Sequence, residues 1–280
     1  MNILVTGAHG FLGKHLSEYY SSTGHNVYAL GRKQLDIVNH DHVTNFFDNN
    51  DIDVVLHAAV KGGARGEKDT YEDLVANLQM FRNLKEQSDK FRVMISFGSG
   101  AEFDRRSAII RAREEDIFIS HPEDYYGLAK NIIAREIIGF DGNIINLRLF
   151  GCFGSYEKET RMIKGNVIKA KNTGKIVIHQ NKMMDFFCVN DLCKVVDNII
   201  DSPSAFAYRD LNMCYRDKRS LVDVAEIIVN NLQKDDIRVI LNKEDMDMSY
   251  TGCSAKLESI GIPFDGLENG IKEVVKNYVR

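Results

Sequence analysis

The chain has 280 residues, 44% of them hydrophobic and 27% charged, with a formal net charge of −4. That length can bury the core of one large domain, or of a domain with a smaller lobe, and the balance of charge gives no electrostatic ground for nucleic acid or an anionic membrane as partner. No apolar run approaches a membrane span, residues 1–20 carry glycine-rich turn chemistry in place of a signal sequence, and the five scattered cysteines form no C-x-x-C pair, so the expectation is a cytoplasmic protein with reduced thiols and no metal.

Asn2 to Thr6 is a short apolar run that leads into three glycines, Gly7-x-x-Gly10-x-x-Gly13, and an amphipathic stretch, Phe11 to Tyr20, follows at once. This reads as a buried strand, a tight turn and a helix N-terminus. Unpaired N–H groups at the positive end of a helix suit a diphosphate, and glycine lets the backbone approach it. The pattern is one residue wider in its first gap than G-x-G-x-x-G. Gly7, His9, Gly10, Phe11, Leu12 and Gly13 are therefore candidates for binding a dinucleotide. A second strand, Asn26 to Leu30, ends in Gly31-Arg32-Lys33. An acidic residue at this place binds the 2′-hydroxyl of NAD, whereas arginine accommodates the extra phosphate of NADP. Arg32 thus favours NADP(H) over NAD(H), with His9 as a further donor.

Gln34 to Ile37 leads to a helix over His40 to Asn49, and Ile52 to Leu56 is a buried strand ending in His57-Ala58-Ala59-Val60-Lys61-Gly62-Gly63. Small residues at the carboxyl end of such a strand let a flat ligand lie on the backbone; His57 reads as a packed core residue. A helix over Tyr71 to Lys85, a strand over Phe91 to Phe97 ending in Gly98-Ser99-Gly100-Ala101, a helix opened by Tyr126 and a strand over Asn143 to Leu149 complete the alternation. Tyr126 and Lys130 lie four apart on one helix face, where an ammonium favours the phenolate and brings the phenol's proton exchange toward neutral pH. After about residue 150 the alternation is lost. The expected architecture is α/β, a Rossmann-type doubly wound parallel sheet over residues 1–150, to which 186–203 returns, with a smaller mixed α/β substrate lobe over 151–280.

Together, the Thr6-Gly7-x-x-Gly10-x-x-Gly13 run, Ser99 and Tyr126-x-x-x-Lys130 resemble the extended short-chain dehydrogenase/reductases, in particular the NAD(P)-dependent nucleotide-sugar epimerases, dehydratases and reductases. The resemblance extends through His57-Ala58-Ala59, Asn77, Leu147-Arg148-Leu149-Phe150 and Phe186 to Asp191. It implies Tyr126 as general acid/base, Lys130 as the group that binds the nicotinamide ribose and tunes Tyr126, and Ser99 as the group that polarises a sugar carbonyl. It also implies Asp36, Ile37, Ala58, Ala59, Lys61, Asn77 and Phe150 as cofactor-binding residues, and a homodimer. Gly100 and Ala101 stand where the 4,6-dehydratases carry Asp and Glu. Lys61-Gly62-Gly63 and Gly98-Ser99 look like GDP-fucose synthase, but Ala101 and Arg161 stand where that enzyme has the cysteine and histidine of its epimerisation. Met184 replaces an arginine that binds the diphosphate, for which Lys182 or Arg161 could substitute. Ser99, Gly100, Ala101, Arg161 and Lys182 are the substrate-side candidates. The implied function is NADPH-dependent reduction of a 4-keto nucleotide sugar without C3/C5 epimerisation; the alternatives are an NAD-dependent 4-epimerase and a non-catalytic NAD(P)-binding sensor.

Overall fold

The structure, a computed structural model, describes residues 1–64, 66–233, 236–243 and 248–279. The chain forms two compact units. The first comprises residues 1–106, 113–148 and 195–211, and the second residues 107–112, 149–194 and 212–280. In chain order the elements are β1 (Asn2–Thr6), α1 (Phe11–Ser22), β2 (Asn26–Leu30), α2 (His40–Asn49), β3 (Val54–His57), α3 (Tyr71–Lys85), β4 (Val93–Ser99), β5 (Ile109–Ala112), α4 (Tyr125–Ile138) and β6 (Ile144–Leu149). They continue with β7 (Cys152–Phe153), α5 (Met162–Thr173), β8 (Lys175–Ile178), β9 (Phe187–Cys188), α6 (Val189–Asp201) and β10 (Asp210–Met213). The last are α7 (Leu221–Leu232), β11 (Arg238–Leu241), β12 (Tyr250–Gly252), α8 (Ala255–Ser259) and α9 (Gly266–Val279). No helix among the described residues is long and apolar enough to cross a membrane.

The architecture is α/β, built on a six-stranded sheet in the order β10-β6-β4-β3-β1-β2. β1 pairs in parallel with β2 on one side and with β3 on the other, with Val5 opposite both Ala29 and Leu56. β3 in turn pairs in parallel with β4. The strand order reverses between β1 and β3, and open sheets of this kind receive ligands at the carboxyl ends of such strands. Their interiors read as unbroken apolar runs because helices cover both faces. Leu4, Val55 and Met94 from the strands pack with Val43 and Phe47 of α2, Phe81 and Leu84 of α3, and Ile133 and Ile137 of α4. Side chains cap the helices: Asn39 accepts from His42 N, Thr70 and Asp73 form a reciprocal box on α3, and Asp124 accepts from Gly127 N. Each cap satisfies a donor that the first helical turn leaves open.

The second unit has its own core, in which Phe153, Ile163, Val167 and Ile176 meet Val224 and Ile228 of α7 and Ile271 and Val274 of α9. Short parallel pairs, β8 with β11, β5 with β12 and β7 with β9, frame it. β5 was not anticipated: it is four residues long and contains Arg111 at φ 48°, a conformation that hides a strand from periodicity. Asp191, within α6, holds backbone outside its own helix. Its carboxylate accepts from Asp265 N and Gly266 N, at 2.9 Å each, at the start of α9, and from the Tyr215 hydroxyl at 2.6 Å.

The glycine turn is fixed by close packing. Gly7 sits at φ +66°, and a Cβ there would lie 2.7 Å from the Ala59 backbone; a Cβ on Gly13 would strike the Gly7 carbonyl. Gly13→Ala gains helix propensity of about 1 kcal/mol but forces backbone apart, so the variant is expected to lose about 1–3 kcal/mol overall. Urea unfolding checks this, and a variant as stable as the wild type would refute the packing argument.

Candidate active site

The carboxyl ends of β1, β2 and β3 surround a cavity of about 200 Å³ in the first unit, lined by Thr6, Gly7, Leu30, Gly31, Arg32, Leu35, Asp36, Ile37, Val38, Ala59, Val60, Lys61 and Met80. The sequence candidates Gly7, Arg32, Asp36, Ile37, Ala59 and Lys61 are thus brought to one place. Its wall is mainly aliphatic, with Arg32, Asp36 and Lys61 as charged groups. Arg32 is 70% exposed, and its Nε lies 3.4 Å from Asp36 Oδ2. His9 packs on this rim, because a Cβ on Gly31 would fall 2.6 Å from the His9 ring.

Beside the cavity begins α1, whose N-cap is Gly10 and which has neither a side-chain cap nor an acidic residue in its first turn. Its first N–H groups therefore carry no side-chain acceptor, which is the condition an anion needs there. Phe11 and Leu12 are the first two residues of that turn. Thr6 ties the two strands together: its Oγ1 accepts from Ala59 N at 3.2 Å and lies 3.0 Å from His57 Nδ1. Burial, with Lys130 nearby, lowers the His57 pKa to about 3, so the ring is neutral. Asn77 serves the loop after β3. Its Oδ1 accepts from Lys61 N at 2.9 Å and its Nδ2 donates to Lys61 O at 2.8 Å. At Gly63, φ +73°, a Cβ would lie 2.7 Å from the Tyr126 ring, which places Tyr126 against the same loop.

Ser99 ends β4. Its Oγ accepts from Ala101 N at 3.1 Å, and its own N–H donates to Glu102 Oε1 at 2.8 Å. α4 is pinned against this turn. Lys130, buried, donates from Nζ to Phe97 O at 2.7 Å, and Asn131 Nδ2 donates to Glu102 O at 2.8 Å. A Cβ on Gly127 would lie 2.6 Å from Ala101 O. Burial lowers the Lys130 pKa to about 8, and Glu102 opposes that shift. Gly100 and Ala101 are both buried, Ala101 at 1% exposure.

Glu102 belongs to a charge cluster beneath the turn. Arg148 and Glu102 are both 0% exposed. Arg148 Nε donates to Glu102 Oε2 at 2.5 Å and its Nη2 to Asp210 Oδ2 at 2.6 Å. Asn146 Nδ2 donates to Asp210 Oδ1 at 2.8 Å and to Glu102 Oε2 at 3.2 Å. The Phe103 ring covers the guanidinium, 4.9 Å from centroid to Cζ. Sequence reasoning did not single out Glu102, Asn146 or Asp210. Two signals were present: Ser99-x-x-Glu102 is a capping-box spacing, and Arg148 lies within an otherwise apolar strand, where a charge requires partners.

Three sequence candidates lie in the second unit. Phe150 is buried, its ring edge-on to Tyr250 at 5.2 Å. Arg161 is the exposed N-cap residue of α5, and Lys182 O accepts from Leu221 N at 3.0 Å. The same unit buries a further ion pair, Lys218 Nζ on Asp185 Oδ2 at 2.8 Å, and Gly252 N donates to the same oxygen at 2.8 Å.

The cavity, the uncapped helix start and the glycine cradle fit an adenine dinucleotide: an aliphatic wall for a flat base, N–H groups for a diphosphate, and no Cβ in the way. Comparison with known proteins gives the same picture. The model of the NAD dependent epimerase/dehydratase family matches residues 3–214. The fold is similar to that of a GDP-mannoheptose C4 reductase from Campylobacter jejuni with NADP bound, at TM-score 0.82 and 21% identity over 100% of this chain and 98% of the other. It is also similar to a GDP-L-fucose synthetase from Naegleria fowleri bound to NADP (TM-score 0.80, 19% identity, 99% and 92% covered). A UDP-glucose 4-epimerase from Thermus thermophilus in complex with NAD gives TM-score 0.78 and 15% identity, with 100% and 99% covered. At these identities the likeness is one of fold.

Arg148 is the only cation that touches both buried carboxylates among the described contacts. Arg148→Met should cost about 3–5 kcal/mol, because it leaves Glu102 and Asp210 buried without a counter-charge. In the variant the Glu102 carboxyl, which burial already pushes up, loses the guanidinium that opposes that rise, so the loss should shrink as pH falls from about 7 toward about 5. Denaturant unfolding at the two pH values measures this; a loss independent of pH would contradict it.

Proposed function

The chain belongs to the NAD dependent epimerase/dehydratase family, and on that premise we propose that it is an NADPH-dependent reductase of a 4-keto nucleotide sugar, acting without epimerisation at C3 or C5. The observation that carries this reading is the turn after β4. It presents Ser99 beside a helix that holds Tyr126 and Lys130, while the position two residues beyond Ser99 is Ala101, buried and without an ionisable group. When bound, the nicotinamide supplies a hydride. Tyr126 delivers the proton to the forming C4 alkoxide, and the Ser99 hydroxyl holds that oxygen. Lys130, with its lowered pKa, is a short step from releasing a proton near neutral pH and keeps a positive charge beside the phenol while protonated.

In this reading the first unit holds the dinucleotide, with Asn77 fixing the Lys61 loop around it. In the second unit, Arg161 and Lys182 are the residues that would take the diphosphate of a nucleotide sugar. The exposed rings of Tyr71 on α3 and Tyr125 on α4, edge to face at 6.2 Å, are the apolar surface on which a homodimer would form. A second reading, an NAD-retaining 4-epimerase, rests on one observation. Asp36 lies on the same cavity as Arg32 and pairs with it, and a carboxylate there can take a ribose hydroxyl.

Moving a proton at C3 or C5 requires a base on one face and an acid on the other, and neither Ala101 nor the permanently charged Arg161 can be that base. Turnover of a 4-keto nucleotide sugar with unlabelled NADPH in deuterated water should therefore give a product without carbon-bound deuterium at C3 or C5 beyond a no-enzyme control. Deuterium there would mean that another residue supplies the base. On the cofactor side, Arg32→Asp should weaken NADPH about 10-fold or more, the worth of a charge-assisted contact, and leave NADH nearly unchanged. Fluorescence titration checks both, and equal dissociation constants for the two cofactors in the wild type would remove the NADP assignment.

A further inference from the structure

Two carboxylates against one guanidinium leave one negative charge over in the cluster of Glu102, Asp210 and Arg148. That excess lies in the interior, where unbalanced charge is costly. Among the described residues, the groups that meet the oxygens of Glu102 are donors: Ser99 N, Arg148 Nε and Asn146 Nδ2. Asn146 turns its NH₂ to both carboxylates and leaves its own Oδ1 without a partner among the described residues. Such a surround holds a carboxylate rather than a carboxylic acid. Burial and the nearby Asp210 push the Glu102 pKa up, while Arg148 and the Ser99 N–H pull against that rise.

The balancing positive charge lies along the same edge of β4. Lys130 Nζ donates to Phe97 O and Ser99 N donates to Glu102, so cation and anion hold backbone groups two residues apart on one strand, and peptide groups so spaced leave the same strand edge. Between them stands Gly98, where a Cβ would strike Glu102 Oε1. The absence of a side chain at Gly98 is what lets the carboxylate lie so close to the strand.

We propose that Glu102 is a positioning residue, the counter-ion that keeps Lys130 charged and at the same time fixes the turn that carries Ser99. The proposal rests on the assignment of Ser99 and Lys130 to the reductase site. The other groups around Lys130 do not take this part. His57 on β3 is neutral near pH 7, with a pKa lowered to about 3. Arg148 on β6 pairs with Glu102 and with Asp210 on β10. On α3, Arg82 and Lys85 are bound to Glu136, more than a helical turn beyond Lys130 along α4. Tyr126, one turn earlier on α4, is the group that Lys130 itself acts upon.

The test has two arms that do not depend on each other. The first is thermal melting at pH 7 of the wild type, Glu102→Gln, Lys130→Met and the double variant. Each single change leaves one uncompensated buried charge, and the double change leaves none. The double variant should therefore melt several degrees above Lys130→Met, and its loss should be smaller than the two single losses together. If Glu102→Gln alone does not fold, the comparison of Lys130→Met with the double variant still decides. Additive losses, or a double variant no more stable than Lys130→Met, would overturn the proposal.

The second arm is the pH profile of turnover on a 4-keto nucleotide sugar. Glu102→Gln should move the alkaline limb down by about one unit, the scale of a buried ion-pair partner, and Glu102→Asp should return part of it. An alkaline limb that stays in place in a folded Glu102→Gln protein would likewise overturn the proposal. A wild type with no turnover on such substrates would sink the reductase reading and leave the melting arm to judge Glu102.

Discussion

Arg148 is wholly buried, and the arrangement of the site follows from what it requires. A guanidinium in the interior must have its donors met by acceptors held in place. Here the acceptors are Glu102, from the turn after β4, and Asp210, from β10, the strand at the far edge of the sheet. Satisfying the arginine therefore fixes the turn relative to the sheet. The same carboxylate accepts from Ser99 N, and Asn131 of α4 donates to the Glu102 carbonyl. The strand end, the turn and the first turns of the helix become one piece. Ser99 and Lys130 inherit their positions from it, whatever the ligand.

The other half of the site is held by the absence of side chains. Gly7 lets the β1 turn lie on the Ala58-Ala59 backbone, Gly13 lets α1 close on the Gly7 carbonyl, and Thr6 Oγ1 accepts from Ala59 N. That contact closes the sheet at the point where strand order reverses, and leaves the aliphatic cavity opening between β1, β2 and β3. A packing constraint and an electrostatic one thus act on neighbouring strand ends. They account for most of the residues that the resemblance assigns to the cofactor and to proton transfer.

Much of this was legible in the chain. The alternation of apolar strands and amphipathic helices located β1, α1, β2, α2, β3, α3 and β4, because their periods are regular. The glycine run led to the turn that packs on the Ala59 backbone, and the Tyr126-Lys130 spacing to the helix that packs against the end of β4. What remained hidden was of another kind. β5 and β10 are short and gain their hydrogen bonds from partners far away in sequence, so local pattern carries little of them. The Glu102–Arg148–Asp210 cluster joins residues 46 and 62 positions apart; pairing over such distances is a property of the fold. Asn77 and Asp191 were noticed as members of motifs, yet each does its work by holding backbone elsewhere, at Lys61 and at the start of α9.

The reading as a reductase turns on whether the nicotinamide hydride ends on the sugar. The direct measurement is to incubate the protein with a 4-keto nucleotide sugar and NADPH carrying deuterium at C4 of the nicotinamide on the transferable face, in ordinary water, and to follow the product by mass spectrometry and NMR. The account predicts one deuterium at C4 of the product and one NADP⁺ formed for each sugar reduced. Inversion of a 4-hydroxyl on an unoxidised nucleotide sugar, with no net consumption of NADPH and no label gained, would contradict it and identify the chain as an epimerase.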